Sequence, residues 1–255
     1  MPTKLLFRGI EAKDTNETTD VNQSRSFWKS IVGVKKSFDP KNHQLVKWKR
    51  SMLKVNEEVN FNDCLTLDLW QWVVRKSKSW KAHEPDGLQG YWWKVFTHAN
   101  VALYNLVLHH LITGKSLSQR WIAEGRIILI HKSGPRSDPA NFRPIACLNT
   151  CYKLLTGFVA AYLDKYVRAR EILPTEQIAL HGGVWGCTHA LTLDQMMTSD
   201  AQDQRHRPIS VARIDYVKAF DSVPHSYIKW LFNAVRVRSQ LRIFLKSLMK
   251  KWRVR

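Results

Sequence analysis

The sequence predicts an α+β fold in which helices dominate and a single β-ribbon interrupts them. Three observations carry this. Apolar residues recur at helical spacing in several long segments. One run, "GRIILIHKSG", is β-branched, of strand length and closed by Ser-Gly-Pro. A second extended piece, "NFRPIACL", comes after a short basic loop. With 255 residues, 44% of them apolar, the chain is long enough to bury a core.

Residues 1–26 include "EAKDTNETTDVNQSRS", which has almost no large apolar side chain. It is read as loose, because it cannot offset its ordering entropy. From "FWKSIVGV" onward apolar residues return, and residues 27–118 are expected to form a helical extension. Within it Leu65–Trp80 predicts a helix with Leu65, Leu69, Trp72 and Val73 on one stripe. Pro85-Asp86-Gly87 signals a turn, and Asp86 is placed to cap the segment after it. "ANVALYNLVLHHLITGK" predicts a second helix with Val101, Asn105, Leu108 and Ile112 recurring, stopped by Gly114. His109 and His110 near its end suit the helix dipole better than a ligand role.

Residues 119–255 begin with the ribbon, which carries Lys132, Arg136 and Arg143. "YKLLTGFVAAYLDKYV" then predicts an amphipathic helix striped by Leu154, Leu155, Phe158, Val159, Tyr162 and Leu163. "HGGVWGC" has neither phosphate-loop spacing nor a dinucleotide fingerprint, and reads as a turn before the helix "THALTLDQMM". "PISVARIDY" reads as a strand. Pro224 opens a helix in which Ile228, Leu231, Phe232 and Val235 recur. The last helix carries Leu241, Phe244, Leu245, Leu248 and Trp252 on one face, among eight Lys/Arg and no acid. It is able to lie on a membrane, but docking on a core with cations toward a nucleic acid fits the rest of the chain better.

Charge narrows the partners. Forty Lys+Arg against twenty-one Asp+Glu leave +19. Such a surplus self-repels unless it faces a polyanion, which points first to nucleic acid and second to an anionic membrane surface. No apolar run of about 20 residues exists to span a bilayer, and "MPTKLLFRGI" is too weakly apolar for a secretory signal. Cys64, Cys147, Cys151 and Cys187 form neither a disulfide framework nor a complete zinc set, so they read as reduced thiols of an intracellular protein.

The stretch "ARIDYVKAFDSVPH" holds Asp215 and Asp221. By the reading above Asp215 ends a strand, where an exposed carboxylate is placed to hold Mg²⁺ together with waters and substrate phosphates. Asp221 precedes the Pro224 helix and reads as its cap. A two-metal site needs a second carboxylate cluster, and no Asp or Glu comes after Asp221 in the chain.

"IDYVKAFDSVPHSYI" resembles the first catalytic motif of reverse transcriptases from non-LTR (LINE-type) retrotransposons. "WKAHEPDGLQGYWWKVF" is similar to that family's segment ahead of the fingers. "GRIILIHKSG" with "DPANFRPIACLNTCYKLLTGFVAAYL" is similar to the fingers strands and the motif after them. "LPTEQIALHGGVWGCTHALTLDQ" is similar to the subsequent Pro-x-x-Gln-x-Gly segment. The four blocks occur in the family's order over about residues 65–255, with weaker similarity back to about 27.

The resemblance implies an incomplete right-hand polymerase fold: helical and β-ribbon fingers, then the first palm strand and helix. It implies RNA-directed DNA polymerase activity in a full-length parent, with Mg²⁺ in a two-metal site, template RNA, primer DNA and dNTP as partners, and nuclear action where target DNA primes synthesis. By that resemblance Asp215 is the catalytic metal ligand. Tyr216 and Phe220 lie by the nucleotide, and Phe220 discriminates against a 2′-OH. Lys132 and Arg143 lie near template or triphosphate, Gln177 and Gly182 lie by the template, and Asp221 stands outside metal coordination. Three departures stand out. Glu84 replaces a glycine before Pro85-Asp86-Gly87; Ile178-Ala179-Leu180-His181 replaces a basic, glycine-containing run; and the family's remaining catalytic aspartates find no counterpart before Arg255. The chain is therefore expected to be an inactive fragment by itself. The alternative is a decayed or domesticated element product that only binds RNA or single-stranded DNA through charge and aromatic stacking.

Overall fold

In the computed structural model the described residues are 20–32, 38–52, 61–80, 86–117, 119, 121–174, 176–177, 186–203, 210–216 and 219–254. They are mostly helical with one small sheet, as the α+β prediction requires.

Helix α1 (Val21–Val32) starts inside the stretch read as loose. Asp20 explains the start: its Oδ1 accepts from the Asn22 N–H at 3.2 Å, and its carbonyl accepts from Ser24 N–H at 2.9 Å. Helix α2 (His43–Met52) and the preceding Phe38 dock aromatically on a later helix: Phe38 lies edge-on to Tyr227 and Trp230, and Trp48 lies 6.2 Å from Trp230.

After α3 (Phe61–Cys64), α4 (Leu67–Lys76) is capped by Thr66, whose hydroxyl accepts from Leu69 N–H at 3.2 Å. Its buried stripe is Leu69, Trp70, Val73 and Val74, while Trp72 is exposed. Trp70, which the predicted stripe omitted, is fully buried because its indole N–H has a partner: it donates to Asn100 Oδ1.

Helix α5 (Gly90–Val95) leads into α6 (Thr97–Thr113). The buried face of α6 is Asn100, Tyr104, Val107 and Leu111, one residue ahead of the predicted stripe, and Val101 and Ile112 face out. Its polar residues are spread around the helix, so periodicity does not choose its face. The polar anchors do: Asn100 Nδ2 donates to Trp93 C=O at 3.0 Å, and Tyr104 O–H donates to Leu65 C=O at 2.9 Å. Gly114 ends α6 in the left-handed region at φ 71°, as expected.

The ribbon is present. Strand β1 (Glu124–His131) pairs antiparallel with β2 (Phe142–Leu148), from Gly125↔Leu148 to His131↔Phe142. A two-residue strand, β3 (Arg253–Val254), adds parallel to β1 at Glu124 and Gly125, so the chain past Trp252 is extended rather than helical.

Helix α7 (Thr150–Ala169) buries the predicted stripe, with Leu163 at its margin, and adds Tyr152 and Tyr166. It crosses α4 where Gly157 faces Val73; a Cβ on Gly157 would stand 3.0 Å from a Val73 methyl. Next come helix α8 (Cys187–Asp203), a four-residue helix α9 (Ala219–Ser222), α10 (His225–Ala234) and α11 (Ser239–Met249). One core joins α4, α6, α7 and α11 through Trp70, Val107, Leu111, Phe158, Leu241 and Phe244, drawing on both sides of residue 118. Phe158 sits edge-on to Trp70 at 5.4 Å and to Tyr104 at 5.9 Å.

Two expectations for the aspartate stretch are corrected. Residues 211–216 form no strand, and 208–209 lie outside the described residues. An apolar, β-branched run becomes a strand only beside a partner, and the described sheet contains β1, β2 and β3 alone. Asp221 is not the cap of α10. It lies inside α9, and the N-cap position is Pro224, which has no side-chain oxygen to offer.

Candidate functional site

Asp215 and Tyr216 lie on an exposed run without regular secondary structure, after Val211. The run is tied to α8 by Arg213, whose guanidinium contacts Asp194 Oδ2 at 2.5 Å. Just beyond, α9 presents Phe220 with 90% of its surface exposed; Tyr216 is 75% exposed. Val211 and Ile214 are exposed as well, so a carboxylate stands among large apolar side chains that meet no core.

Lys132 and Arg143 come together at one end of the ribbon. Arg143 faces Ile130 across the strands, and Lys132 continues that face by two residues. The Lys132 backbone N–H donates to Asn141 C=O at 2.8 Å, which holds the loop closed while both side chains remain exposed. Ile128, Ile130 and Ile145 are also exposed on this face, which therefore joins an apolar centre to basic ends.

Helix α1 lies against both parts: it packs on the Pro139–Asn141 turn at the ribbon tip and on α9. Helix α1 thus touches both α9, which carries Phe220, and the turn beside the Lys132/Arg143 end of the ribbon. Among the described residues no hydrogen bond or ion pair joins Asp215 to Lys132 or Arg143. Gln177 is exposed in the turn after α7, where its N–H donates to Pro174 C=O at 3.0 Å. Gly182 lies outside the described residues.

Asp215 is an exposed carboxylate at this place, and among the described residues no group of three His, Cys, Asp or Glu is positioned to hold a metal. An exposed carboxylate is able to take part in binding one Mg²⁺ shared with waters and substrate phosphates. It does not build a two-metal clamp.

Sequence reasoning missed the role of Asp86. Its carboxylate accepts from Leu88 N–H at 3.1 Å and from the Thr150 N–H at 3.0 Å, so it caps the distant α7 and not α5. It also missed an exposed aromatic row through Trp80, Tyr91, Trp92 and Phe96. The density of aromatics in "YWWKVF" was the available signal.

No family model matches the chain. Over 153 residues, 59% of its length, it is 30% identical to a protein of Popillia japonica described as a retrovirus-related Pol polyprotein from type-1 retrotransposable element R2. Over 137 residues, 52% of its length, it is 28% identical to a Drosophila melanogaster protein described as a probable RNA-directed DNA polymerase from transposon BS. The chain's matching part spans 20% and 15% of the lengths of these relatives. Both bear out the resemblance to reverse transcriptases of non-LTR retrotransposons.

Proposed function

We propose that this segment supplies the fingers and the first palm element of a right-hand RNA-directed DNA polymerase from a non-LTR retrotransposon. What supports this reading is that Asp215 and Phe220 are exposed close together in the sequence, while α1 touches both α9 and the turn at the Lys132/Arg143 end of the ribbon. Similarity to two retrotransposon polymerases supports it.

In the reaction a primer 3′-hydroxyl attacks the α-phosphate of a dNTP and pyrophosphate leaves. Lys132 and Arg143 attract and orient the triphosphate. Phe220 packs against the sugar and disfavours a 2′-OH, with Tyr216 beside it. Gln177 and Gly182 lie along the template. Asp215, with the Tyr216 carbonyl, would hold Mg²⁺, which neutralises charge on the phosphates when bound. Template RNA and primer DNA are the partners, and the site of action is the nucleus. Because Asp215 offers one carboxylate where two-metal chemistry needs more, these 255 residues alone do not polymerise.

The test is primer extension by a chimera in which this chain precedes the remaining palm and thumb of the Popillia japonica relative. Product with Asp215 and none with Asp215→Asn supports the reading. Equal product from both sinks it. Extension by the 255-residue chain alone would overturn the inactivity. The second reading, a product that only binds RNA or single-stranded DNA, is favoured by the +19 charge. It gains if the chimera binds template and never extends a primer.

A further inference from the structure

We propose that Trp252 is a positioning residue: through His225 and Tyr152 it fixes the Phe220-bearing turn against the base of the ribbon that carries Lys132 and Arg143. This rests on the reading of Phe220, Lys132 and Arg143 as nucleotide contacts.

Trp252 stands on a firm post. It follows α11, whose Leu241, Phe244, Leu248 and Met249 are buried. Lys251 N–H donates to Leu248 C=O at 2.9 Å and Trp252 N–H to Met249 C=O at 3.4 Å, which holds the residues after the helix against it. The Trp252 side chain is nevertheless 43% exposed, so it is not a core residue.

Its contacts reach two different elements. The indole N–H donates to the Tyr152 hydroxyl at 2.7 Å. Tyr152 is buried in the first turn of α7, just past the end of β2 at Leu148. On another side the His225 ring meets the indole edge-on, with centroids 5.4 Å apart, and His225 is the first residue of α10. Directly after Trp252 the backbone joins the ribbon base, Arg253 beside Glu124 and Val254 beside Gly125.

Both ends of this link are stiff. At the ribbon base a Cβ on Gly125 would stand 2.8 Å from Cys147 C=O, so the strands meet there without room for a side chain. Asn149 and Thr150 hold the same junction through Trp121 and Asp86. Between Phe220 and His225 the chain turns tightly: Val223 N–H donates to Phe220 C=O at 3.4 Å, and Pro224 sets φ at −65° before α10. A shift at the start of α10 is therefore passed to Phe220. Helix α1 ties α9 to the turn at the ribbon tip, and Trp252 adds a tie at the ribbon base. Such ties matter because a misplacement of about 1 Å costs a reaction about 100-fold.

The link is read by pulsed EPR on the full chain, with nitroxide labels at Ile128→Cys on the ribbon and Ser226→Cys on α10. Cys64, Cys147 and Cys187 are replaced by alanine so that only the two introduced thiols react. Trp252→Ala and His225→Ala are each expected to broaden the distance distribution. Trp252→Phe keeps a ring edge for His225 and loses only the N–H donor, so it should broaden the distribution less. An unchanged distribution in both alanine variants overturns the proposal. His225 is exposed, so His225→Ala tests the link even if Trp252→Ala does not fold. In the chimeric polymerase His225→Ala is expected to raise KM for dNTP about 10-fold with a smaller change in kcat, as a misplacement well under 1 Å would. In the Phe220→Ala background it should add nothing, and additive losses there would overturn the route through Phe220. Equal extension by the chimera and its Asp215→Asn variant would sink the polymerase reading, a failure distinct from that of the link, which the labels read without catalysis.

Discussion

The Asp86 carboxylate and the Thr150 backbone N–H, 64 positions apart in the chain, share a hydrogen bond of 3.0 Å. The Asn149 side chain does not cap α7; it donates instead to Trp121 C=O at 2.6 Å. Asp86 therefore supplies the missing acceptor and the negative charge that a helix N-terminus favours. Thr150 Oγ1 returns a bond to Leu88 C=O at 2.7 Å, locking the turn onto the helix. Asp86→Ala is expected to cost about 1–2 kcal/mol, the range of a lost cap. Asp86→Asn should cost less, since it keeps the acceptor. Urea unfolding of the two variants checks the order; equal stability of all three proteins would show the bond to be idle.

The Trp70–Asn100 bond makes a second prediction. Trp70→Phe keeps most of the ring volume but strands the buried Asn100 Oδ1. The expected loss is about 1–3 kcal/mol, the cost of an unsatisfied buried polar group. Trp70→Phe with Asn100→Leu should recover part of it, and a double-mutant cycle reads the coupling. Trp72→Phe, on the exposed side of the same helix, should be near neutral.

Stability should fall at alkaline pH. Burial, with the Asp86 charge nearby, raises the Cys151 thiol from 9.0 to about 12, and burial raises the Tyr162 phenol from 10.0 to about 12. Well below pH 9 these groups are neutral in both folded and unfolded chains, and their contribution to stability is complete. As pH rises from 9 toward 12, the unfolded chain ionises first and gains free energy, so the folded state loses ground. The urea midpoint should drop across that window, and less steeply in Cys151→Ala. Thiol labelling at pH 8 should modify the exposed Cys187 and spare Cys151.

Much of this was legible where local pattern and tertiary packing agree. The α7 stripe, the ribbon and the Gly114 stop follow from period, β-branching and left-handed geometry. The pattern failed where partners decide. The face of α6 hangs on Asn100 and Tyr104, whose acceptors, Trp93 and Leu65, lie outside the helix. "PISVARIDY" has strand chemistry, yet residues 211–216 have no partner strand in the described sheet. The Asp86 cap spans elements far apart in the chain, which no local window reads. At the candidate site the residue types were legible, while the shared contact of α1 with the ribbon tip and α9 was not.

Phe220 provides the sharpest functional test. A bulky ring exposed on a four-residue helix contributes nothing to the core, so its removal should leave folding intact. If it sits against the sugar of an incoming nucleotide, Phe220→Ala removes a steric barrier to the 2′-OH. In the chimeric polymerase, incorporation of ribonucleotides relative to deoxyribonucleotides should then rise by about 10- to 200-fold, the range that one lost apolar contact commands. Total dNTP incorporation should fall less than it does in Asp215→Asn, because packing orients the sugar whereas the carboxylate serves the reacting phosphate. An unchanged nucleotide ratio together with a lower melting temperature would reassign Phe220 to packing against another part of the polymerase.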